Sequence, residues 1–332
     1  MSAPVRLGLL GCGRAAERLH VPAIGGATAT RLAAVFDPIR SRRDLIASGQ
    51  ARCRVFESAE ALVDSGEVDA VIVASPAESH VEMASLALRA SLPVLVEKPL
   101  AGSLGDGQRL EAVQQSTGVP VMVGLNRRWW GPAVLLRQQL ARAGRGRAAV
   151  RMEITSDVSG WSPLSARSDP LDDLGTHQLD LLRFLFGCEI ETVRATQPAP
   201  AEFQLNVRLV DGTTAACVAG YHDRSREVIQ VSVGRERSCL RAGSERIRPA
   251  SGGIRRALDI HDTVHRRVLR RRGGMSHSYT EQLIAFVACV RGRTPVSPCL
   301  RDGLAVLRAI VAARASLASG GADVTITSTR QP

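Results

Sequence analysis

The fold of the N-terminal half is decided by residues 5–16, which read VRLGLLGCGRAA. Val5–Leu10 is an apolar run of strand type, and it leads directly into a glycine turn that opens a helix. Gly11 permits the tight turn, Gly13 lets a pyrophosphate approach the backbone, and Ala16 allows close packing of helix on strand. A G-x-G-x-x-A turn in this context predicts the first βαβ unit of a dinucleotide-binding domain.

Strand and helix patterns alternate through the rest of this half. Short Val-rich runs bounded by turn residues predict strands, and residues 77–90 have apolar side chains at helical spacing. The predicted strands are Val5–Leu10, Arg31–Phe36, Ala70–Ala74, Val94–Val96 and Val119–Val123. Strand–helix units joined by short loops form a doubly wound parallel sheet with helices on both faces. We therefore predict an α/β Rossmann domain in residues 1–125.

The preferred cofactor is indicated by Asp37, which stands at the end of the second predicted strand. An acidic residue there can bind both hydroxyls of the adenosine ribose, whereas it would repel a 2′-phosphate, so NAD is favoured. Arg40, Arg42 and Arg43 follow closely and offer partners for such a phosphate. NADP therefore stays an alternative.

Lys98 is the only lysine of the 332-residue chain, which has 43 Lys and Arg residues together. Arginine serves equally well at most solvated positions, but its guanidinium does not release a proton in proteins, whereas a lysine ammonium can. Either Lys98 is a chance remnant or its role requires proton transfer, and we favour the second interpretation.

The net charge of +11 comes from arginines spread along most of the chain. One cluster falls within residues 246–274, and its members are Arg255, Arg256, Arg266, Arg267, Arg270, Arg271 and Arg272. No helix-turn-helix, zinc-finger or RNP-like aromatic motif accompanies it, so we expect no nucleic-acid partner. The cluster is either a solvated face or a binding site for an anionic substrate such as a nucleotide sugar.

Cysteine and hydropathy patterns exclude several other classes of protein. The seven cysteines include no CxxC pair, which argues against a disulfide framework and a structural zinc site. His261 and His265 have i, i+4 spacing but no third ligand nearby, so we expect no metal. No apolar run is long enough to cross a bilayer, and the N-terminus does not resemble an export signal. We therefore expect a cytoplasmic protein with no membrane partner.

The second half, residues 126–332, has a different pattern. Its runs alternate with period two, and crossover helices are missing between the last few of them. The predicted strands are Val150–Ile154, Phe203–Val210, Thr213–Ala219 and Val228–Val233, followed by helices over Ser278–Arg291 and Leu300–Ser319 and a strand over Asp323–Thr327. This order predicts an α+β domain with an open, mainly antiparallel sheet.

One helix of this half has a legible start. Asp169 can act as N-cap, Pro170 suits the first helical position, and Asp172 at the third favours the helix dipole.

The same helix carries three further polar residues, Asp173, His177 and Asp180, at i, i+4 and i+7. In an α-helix this spacing places all three on one stripe. We expect Asp180 either to reach a pocket or to orient His177.

Several motifs occur together in this chain: VIVASP at 71–76 with His80, PVLVEKPLA at 93–101, VGLNRRW at 123–129 and DDLGTHQLD at 172–180. In this combination the chain resembles the glucose-fructose oxidoreductase and inositol dehydrogenase family, Gfo/Idh/MocA. The resemblance is dense in the N-terminal half, thinner in the second, and poorest over residues 246–274. It implies that Glu97-Lys98-Pro99 ends the fifth strand beside the nicotinamide, at the edge where open α/β sheets place ligands.

The resemblance also implies which residues form the site, with Lys98, Asp173 and His177 as the catalytic residues. The implied cofactor-binding residues are Gly11, Gly13, Arg14, Ala15, Asp37, Ala74, Ser75, Pro76, His80, Glu97, Lys98 and Asn126. The implied substrate-binding residues are Lys98, Arg127, Trp129, Trp161, Asp173 and His177. Trp129, Trp130 and Trp161 are either core residues or platforms for a sugar ring, and the loop 157–167 is expected at the pocket rim.

The activity implied by the resemblance is reversible hydride transfer between NAD(P) and a secondary alcohol or ketone of a sugar, cyclitol or sugar derivative, with Lys98 as general acid and base. An anionic substrate stays an open alternative. The resemblance also implies that the second half binds substrate and forms a homodimer or homotetramer through the free face of its sheet. Two alternatives stay open: a redox-neutral hydrolase or epimerase with transient oxidation, and a non-catalytic regulator that senses dinucleotide or sugar.

Overall fold

A computed structural model describes residues 3–143, 147–159, 169–233, 236–241, 244–249 and 275–327 of the chain. The chain divides into two compact units, residues 1–126 with 279–307 and residues 127–278 with 308–332. The sequence analysis assigned every residue after 125 to the second domain, but 279–307 belong to the first unit. The reason is local packing, since the Gln282 amide donates to the Val123 carbonyl at 3.0 Å and Cys299 forms a β-bridge with Met122.

The first unit is built on a six-stranded parallel sheet with the order β3-β2-β1-β4-β5-β6. Its strands are β1 (Val5–Leu10), β2 (Thr30–Phe36), β3 (Arg54–Val55), β4 (Ala70–Val73), β5 (Val94–Val96) and β6 (Val121–Val123). The predicted doubly wound Rossmann sheet is therefore confirmed. The sequence missed β3 because it has only two residues, both exposed.

The helices of the N-terminal region are α1 (Val21–Gly26), α2 (Arg40–Ser48), α3 (Ala59–Val63), α4 (Ala77–Arg89) and α5 (Leu104–Thr117). A π-helical turn, Ala16–His20, precedes α1. Alternate residues of each strand face opposite sides of the sheet, and on β4 both sets are buried, with Ile72 on one side and Val71 and Val73 on the other. Burial on both faces explains why these strands read as continuous apolar runs.

The second sheet has eight strands in the order β13-β12-β11-β7-β10-β9-β8-β14. Its strands are β7 (Ala148–Ser156), β8 (Ile190–Ala199), β9 (Glu202–Leu209), β10 (Thr214–Tyr221), β11 (Arg226–Val233), β12 (Glu236–Arg241), β13 (Ser244–Pro249) and β14 (Val324–Thr325). Among the pairings described for this second sheet, only the one between β7 and β10 is parallel. The prediction of a mainly antiparallel sheet is confirmed, although β8, β12 and β13 were missed.

The remaining helices are α6 (Gly131–Ala143), α7 (Thr176–Phe186), α8 (Met275–Val290) and α9 (Leu300–Ala318). None of the helices in the described ranges is long and apolar enough to span a membrane. Along β9, buried Phe203, Leu205 and Val207 alternate with exposed Gln204 and Asn206, so one face of the second sheet is core and the other is polar.

Candidate active site

Several expected cofactor-binding residues lie at one edge of the first sheet. They follow the carboxyl ends of parallel strands: Gly11 after β1, Asp37 after β2, Ala74, Ser75 and Pro76 after β4, Glu97 and Lys98 after β5, and Asn126 after β6. The sheet order reverses between β1 and β4, and loops diverge at such a point to leave a crevice. The sequence could predict this convergence because it follows from strand order alone.

The glycine turn brings the ends of β1 and β4 together. Gly11 has a φ of +99°, and a Cβ there would lie 2.6 Å from the Ser75 nitrogen and 2.8 Å from the Ala74 carbonyl oxygen. At Gly13, by contrast, a Cβ would meet no atom of the described residues within 4 Å. The first glycine is therefore required by close packing, and the second leaves open space where the helix begins. This arrangement fits a dinucleotide pyrophosphate.

Asp37 is buried beside this turn. Its Oδ2 accepts a hydrogen bond from the Cys12 N–H at 2.7 Å, and its Oδ1 accepts one from the Ile39 N–H at 2.8 Å. These two bonds fix the carboxylate next to the glycine turn, as ribose recognition would require.

Two of the arginines that could bind the 2′-phosphate of NADP have partners within the protein. Arg43 is buried and donates to the Asp37 carbonyl oxygen at 3.1 Å and to the Glu57 carboxylate. Arg40 is exposed and pairs with Asp44 at 3.4 Å. Two of the three candidate phosphate ligands therefore bind the protein itself, which favours NAD.

The loop after β5 is held by a buried carboxylate. Glu97 Oε1 accepts a hydrogen bond from His20 Nε2 at 2.8 Å, and its Oε2 accepts one from the Lys98 N–H at 3.1 Å. Burial alone would raise the pKa of Glu97, but the hydrogen bond and charge of His20 and the charge of Lys98 lower it below its usual value. Glu97 is therefore ionised at neutral pH, and His20 Nε2 carries the proton of their bond. Lys98 itself is half-buried.

Two other residues shape the surroundings of Glu97. A Cβ on Gly124 would lie 3.0 Å from both Glu97 Cα and Oε2, so a glycine is needed beside this carboxylate. The His20 ring meets the Tyr279 ring edge-on, with centroids 5.5 Å apart. The sequence analysis missed His20 and Tyr279, because they lie far from Glu97 in sequence and belong to no motif that we recognised.

His80 was expected to bind the cofactor, and the structure shows its ring between two loops at the cofactor edge of the sheet. Its Nδ1 lies 2.8 Å from the Pro99 carbonyl oxygen and its Nε2 lies 2.8 Å from the Ser75 carbonyl oxygen. Both ring nitrogens therefore face backbone carbonyl oxygens, and the one that carries the hydrogen donates to its carbonyl. Burial lowers the pKa of His80. The residue links the loop after β4 to the loop after β5.

In the second unit, the expected helix start is confirmed. Asp169 Oδ1 accepts a hydrogen bond from the Asp172 N–H at 3.0 Å, as an N-cap does. Arg314 Nη2 binds both acids, at 3.0 Å from Asp169 Oδ2 and 2.6 Å from Asp172 Oδ2.

Asp173 lies in a helical turn of a different type from the α-helix that carries His177, and the shared stripe of the two residues stays a prediction. Residues Leu171–Gly175 form a π-helical turn, closed by a bond from the Thr176 N–H to the Leu171 carbonyl. This i→i+5 bond inserts an extra residue and changes the angular position of Asp173. Asp173 and His177 are both buried, and the Tyr221 hydroxyl donates to Asp173 Oδ2 at 3.2 Å.

Two pairs of acidic and basic residues in the second unit are largely buried, and the sequence did not indicate either pair. Asp180 accepts from Arg128 through both carboxylate oxygens, at 2.6 Å from Nη2 and 3.0 Å from Nε. Arg127, expected to contact substrate, donates to Glu227 at 2.8 and 3.2 Å. The carboxylate that Arg127 binds in this structure is therefore the side chain of Glu227. Asp180 and Arg127 thus each have a charged partner within the protein, and the roles expected for them at the pocket stay predictions.

The other expected residues have varied positions. Arg14 and Ala15 are half-buried and follow the glycine turn, Asn126 is buried, and Trp129 is half-buried at the end of a 3-10 turn. Trp130 is a core residue. Trp161, most of the loop 157–167, the arginine cluster, His261 and His265 lie outside the described residues. Within the described ranges, no group of three or more His, Cys, Asp and Glu could hold a metal ion.

Comparison with known families matches residues 5–125 to the Gfo/Idh/MocA model, described as an oxidoreductase family with an NAD-binding Rossmann fold. The inositol 2-dehydrogenase 2 of Saccharopolyspora erythraea is 34% identical over 198 residues, which cover 58% of this chain and 57% of that protein. The inositol 2-dehydrogenase of Rhizobium meliloti is 26% identical over 95% of this chain and 97% of its own length.

Among solved structures, the WlbA dehydrogenase of Bordetella pertussis in complex with NADH and UDP-GlcNAcA has a TM-score of 0.84. It is 19% identical, and the match covers 99% of both chains. At this identity the likeness shows that the two chains share a fold. The shared fold includes both sheets.

Proposed function

We propose that this chain is an NAD-dependent dehydrogenase, because residues 5–125 match the Gfo/Idh/MocA oxidoreductase family with its NAD-binding Rossmann fold. Its proposed substrates are sugars, cyclitols and sugar derivatives. The observation that carries the proposal is Lys98, the only lysine of the chain, at the edge of the sheet where the glycine turn and Asp37 also lie.

The proposed cofactor-binding residues surround the end of β1. The open space at Gly13 and the helix that follows would hold the pyrophosphate, and the fixed carboxylate of Asp37 would bind the ribose hydroxyls. Ala74, Ser75 and Pro76 would line the same crevice. A bound nicotinamide supplies the acceptor or donor of hydride.

The proposed catalytic role of Lys98 is proton transfer at the substrate oxygen. In the oxidative direction its neutral amine takes the hydroxyl proton, and in the reductive direction its ammonium returns one. Asp173 and His177 are proposed as the other catalytic residues, on the family motif DDLGTHQLD. The Tyr221–Asp173 bond supports this, since it holds a buried carboxylate in a set position.

Sugars and cyclitols are proposed as substrates from the named relatives, which are inositol 2-dehydrogenases, and from the neighbour bound to a UDP-sugar. The test is an absorbance screen for reduction of NAD⁺ and NADP⁺ with cyclitols, aldoses and nucleotide sugars. We expect turnover with NAD⁺ on at least one of these classes. A dinucleotide that binds without turnover would instead identify a regulator, and tightly held cofactor with product but no net reduction would identify a redox-neutral enzyme.

Replacement of Lys98 by Met or Arg tests the catalytic residue. Both variants should lose at least about 100-fold in kcat, the usual contribution of a general acid or base. NADH affinity, measured by fluorescence titration, should change little because the glycine turn and Asp37 are untouched. Arginine is the matched control, since it keeps the positive charge but cannot give up its proton. Full turnover in either variant would refute the assignment.

A further inference from the structure

The residues before and after Lys98, which are Glu97 and Pro99, each contact a buried histidine. On one side, Glu97 accepts the Nε2–H of His20, and on the other, the Pro99 carbonyl lies 2.8 Å from His80 Nδ1. His20 and His80 are each at most 3% exposed. Neither histidine is assigned a direct contact with substrate or cofactor by the geometry above, so both require another explanation.

The contact of His20 reaches Lys98 through one carboxylate. One oxygen of the Glu97 carboxylate binds His20, and the other binds the Lys98 N–H. The His20 imidazole therefore fixes the carboxylate, and the carboxylate fixes the Lys98 backbone. The ring of Tyr279 packs against the imidazole and limits its rotation. His20 is also the last residue of the π-helical turn that follows the glycine turn. The segment next to the proposed pyrophosphate site is therefore joined to the Lys98 loop.

The contact of His80 joins the same loop to another part of the cofactor edge. Its Nε2 lies 2.8 Å from the Ser75 carbonyl oxygen, and Ser75 follows β4 directly. The ring thus spans two loops at neighbouring strand ends. The chain before and after Lys98 is consequently tied, through Glu97 and the Pro99 carbonyl, to segments expected to contact the dinucleotide.

We propose that His20 and His80 are positioning residues that fix the position of the Lys98 backbone relative to the bound cofactor. This inference rests on the proposed role of Lys98. A lysine has a long flexible side chain, so its amine can be placed reproducibly only if its Cα is fixed. Misplacement of a reacting group by about 1 Å can cost about 100-fold in rate.

His20→Ala and His20→Gln form the first test. Glutamine can place its Nε2 where the imidazole Nε2 lies, so it restores a donor to Glu97, whereas alanine removes it. In the alanine variant we expect kcat to fall at least about tenfold, with an NADH dissociation constant within about threefold of wild type. The glutamine variant should recover most of the loss. The substrate is the one with the highest kcat/KM in the screen above.

Hydrogen exchange gives a readout that needs no substrate. The peptide 95–101 contains the Lys98 amide, whose bond to Glu97 depends on His20. Its exchange should be at least about tenfold faster in His20→Ala than in wild type, because local opening becomes easier, and slower again in His20→Gln. If the alanine variant does not fold, the glutamine variant and the His80 pair below carry the test.

The two nitrogens of His80 can be separated by substitution. The neutral imidazole of His80 donates through only one of its two nitrogens. Asparagine can supply an N–H towards Pro99 from the position of Nδ1, and glutamine can supply one towards Ser75 from the position of Nε2. We expect His80→Asn to lose less kcat than His80→Gln, and His80→Gln to lose less NADH affinity than His80→Asn. Equal effects of the two variants on both quantities would overturn the assignment of His80.

The outcomes separate this inference from the proposed function. If the wild type shows no turnover in the absorbance screen, the proposed function is wrong. If Lys98→Met keeps full turnover, the catalytic role of Lys98 is wrong, and the positioning role that rests on it is wrong as well. If Lys98→Met is inactive while His20→Ala keeps wild-type kcat and wild-type exchange at 95–101, only the positioning role of His20 is wrong. A loss of NADH affinity as large as the loss of kcat in His20→Ala would also contradict it, since it would assign His20 to cofactor binding.

Discussion

At the scale of single residues, Gly11 and Gly13 have different physical requirements although both belong to one turn. Gly11 has a positive φ and lies against the backbone of Ala74 and Ser75, whereas Gly13 faces open space. Only the first is needed by the fold itself. The second is available for a ligand that approaches the backbone closely.

Substitution of each glycine by alanine should therefore have opposite consequences. Gly11→Ala should lower the free energy of unfolding by about 2 kcal/mol or more, because a Cβ would overlap backbone atoms and the conformation is strained. Gly13→Ala should stay within about 1 kcal/mol of wild type but lose at least about tenfold in NADH affinity. Urea unfolding without ligand and fluorescence titration measure the two quantities. Wild-type affinity in Gly13→Ala would remove the pyrophosphate from this position.

Asp37→Asn tests the cofactor preference at the same scale. The amide oxygen can keep one of the two backbone bonds, but the negative charge is lost. We expect KM for NAD⁺ to rise by about tenfold, since charge-assisted hydrogen bonds are roughly twice as strong as neutral ones, and KM for NADP⁺ to fall as repulsion is removed. Steady-state kinetics with both dinucleotides measure the ratio. An unchanged ratio would mean that Asp37 supports only the glycine turn.

At the scale of elements, the start of the helix bearing Asp173 and His177 was predictable in part. The cap of Asp169 is a local signal, and the structure has it. The π-helical turn that follows is different, because the apolar and polar spacing of residues 171–175 is compatible with either helix type. Arg314, which binds Asp169 and Asp172, comes from a distant segment and could not be inferred.

Asp169→Ala should destabilise the protein and also lower its activity. Loss of the cap costs about 1 kcal/mol, and one of the two acidic partners of Arg314 is lost with it. Ser103→Ala is the matched control, because Ser103 caps α5 by accepting from the Asp106 N–H at 3.1 Å. Thermal midpoints should fall similarly in both, whereas kcat should fall in Asp169→Ala alone. Equal kcat values would separate this helix start from catalysis.

At the scale of the whole molecule, local sequence patterns predicted both sheets but not the membership of the first unit. Residues 279–307 return to it from the C-terminal part of the chain. The same limit applies to His20 and Glu97, which are 77 residues apart, and to Arg127 and Glu227, which are 100 apart. Such pairs depend on how elements pack, and a single sequence has no periodic signal for that.

A fragment of residues 1–126 should consequently fold poorly. It would lack Leu304, whose side chain packs close to Gly107, and Gln282, which binds the Val123 carbonyl. We expect a thermal midpoint well below that of the full chain and weak or undetectable NADH binding. Circular dichroism and fluorescence titration measure these properties. A fragment that melts and binds NADH like the full chain would show that residues 279–307 are dispensable.

The single half-buried lysine also determines how the protein can be handled. Reagents that couple through amines have one side-chain target in this chain, and that target is Lys98. Immobilisation or dye labelling through amines would thus attach either at the α-amino group or at the proposed reaction centre. Preparations coupled through carboxyl groups or thiols should remain active. Amine-coupled ones should lose activity in proportion to the fraction of Lys98 modified, and bound dinucleotide should protect them.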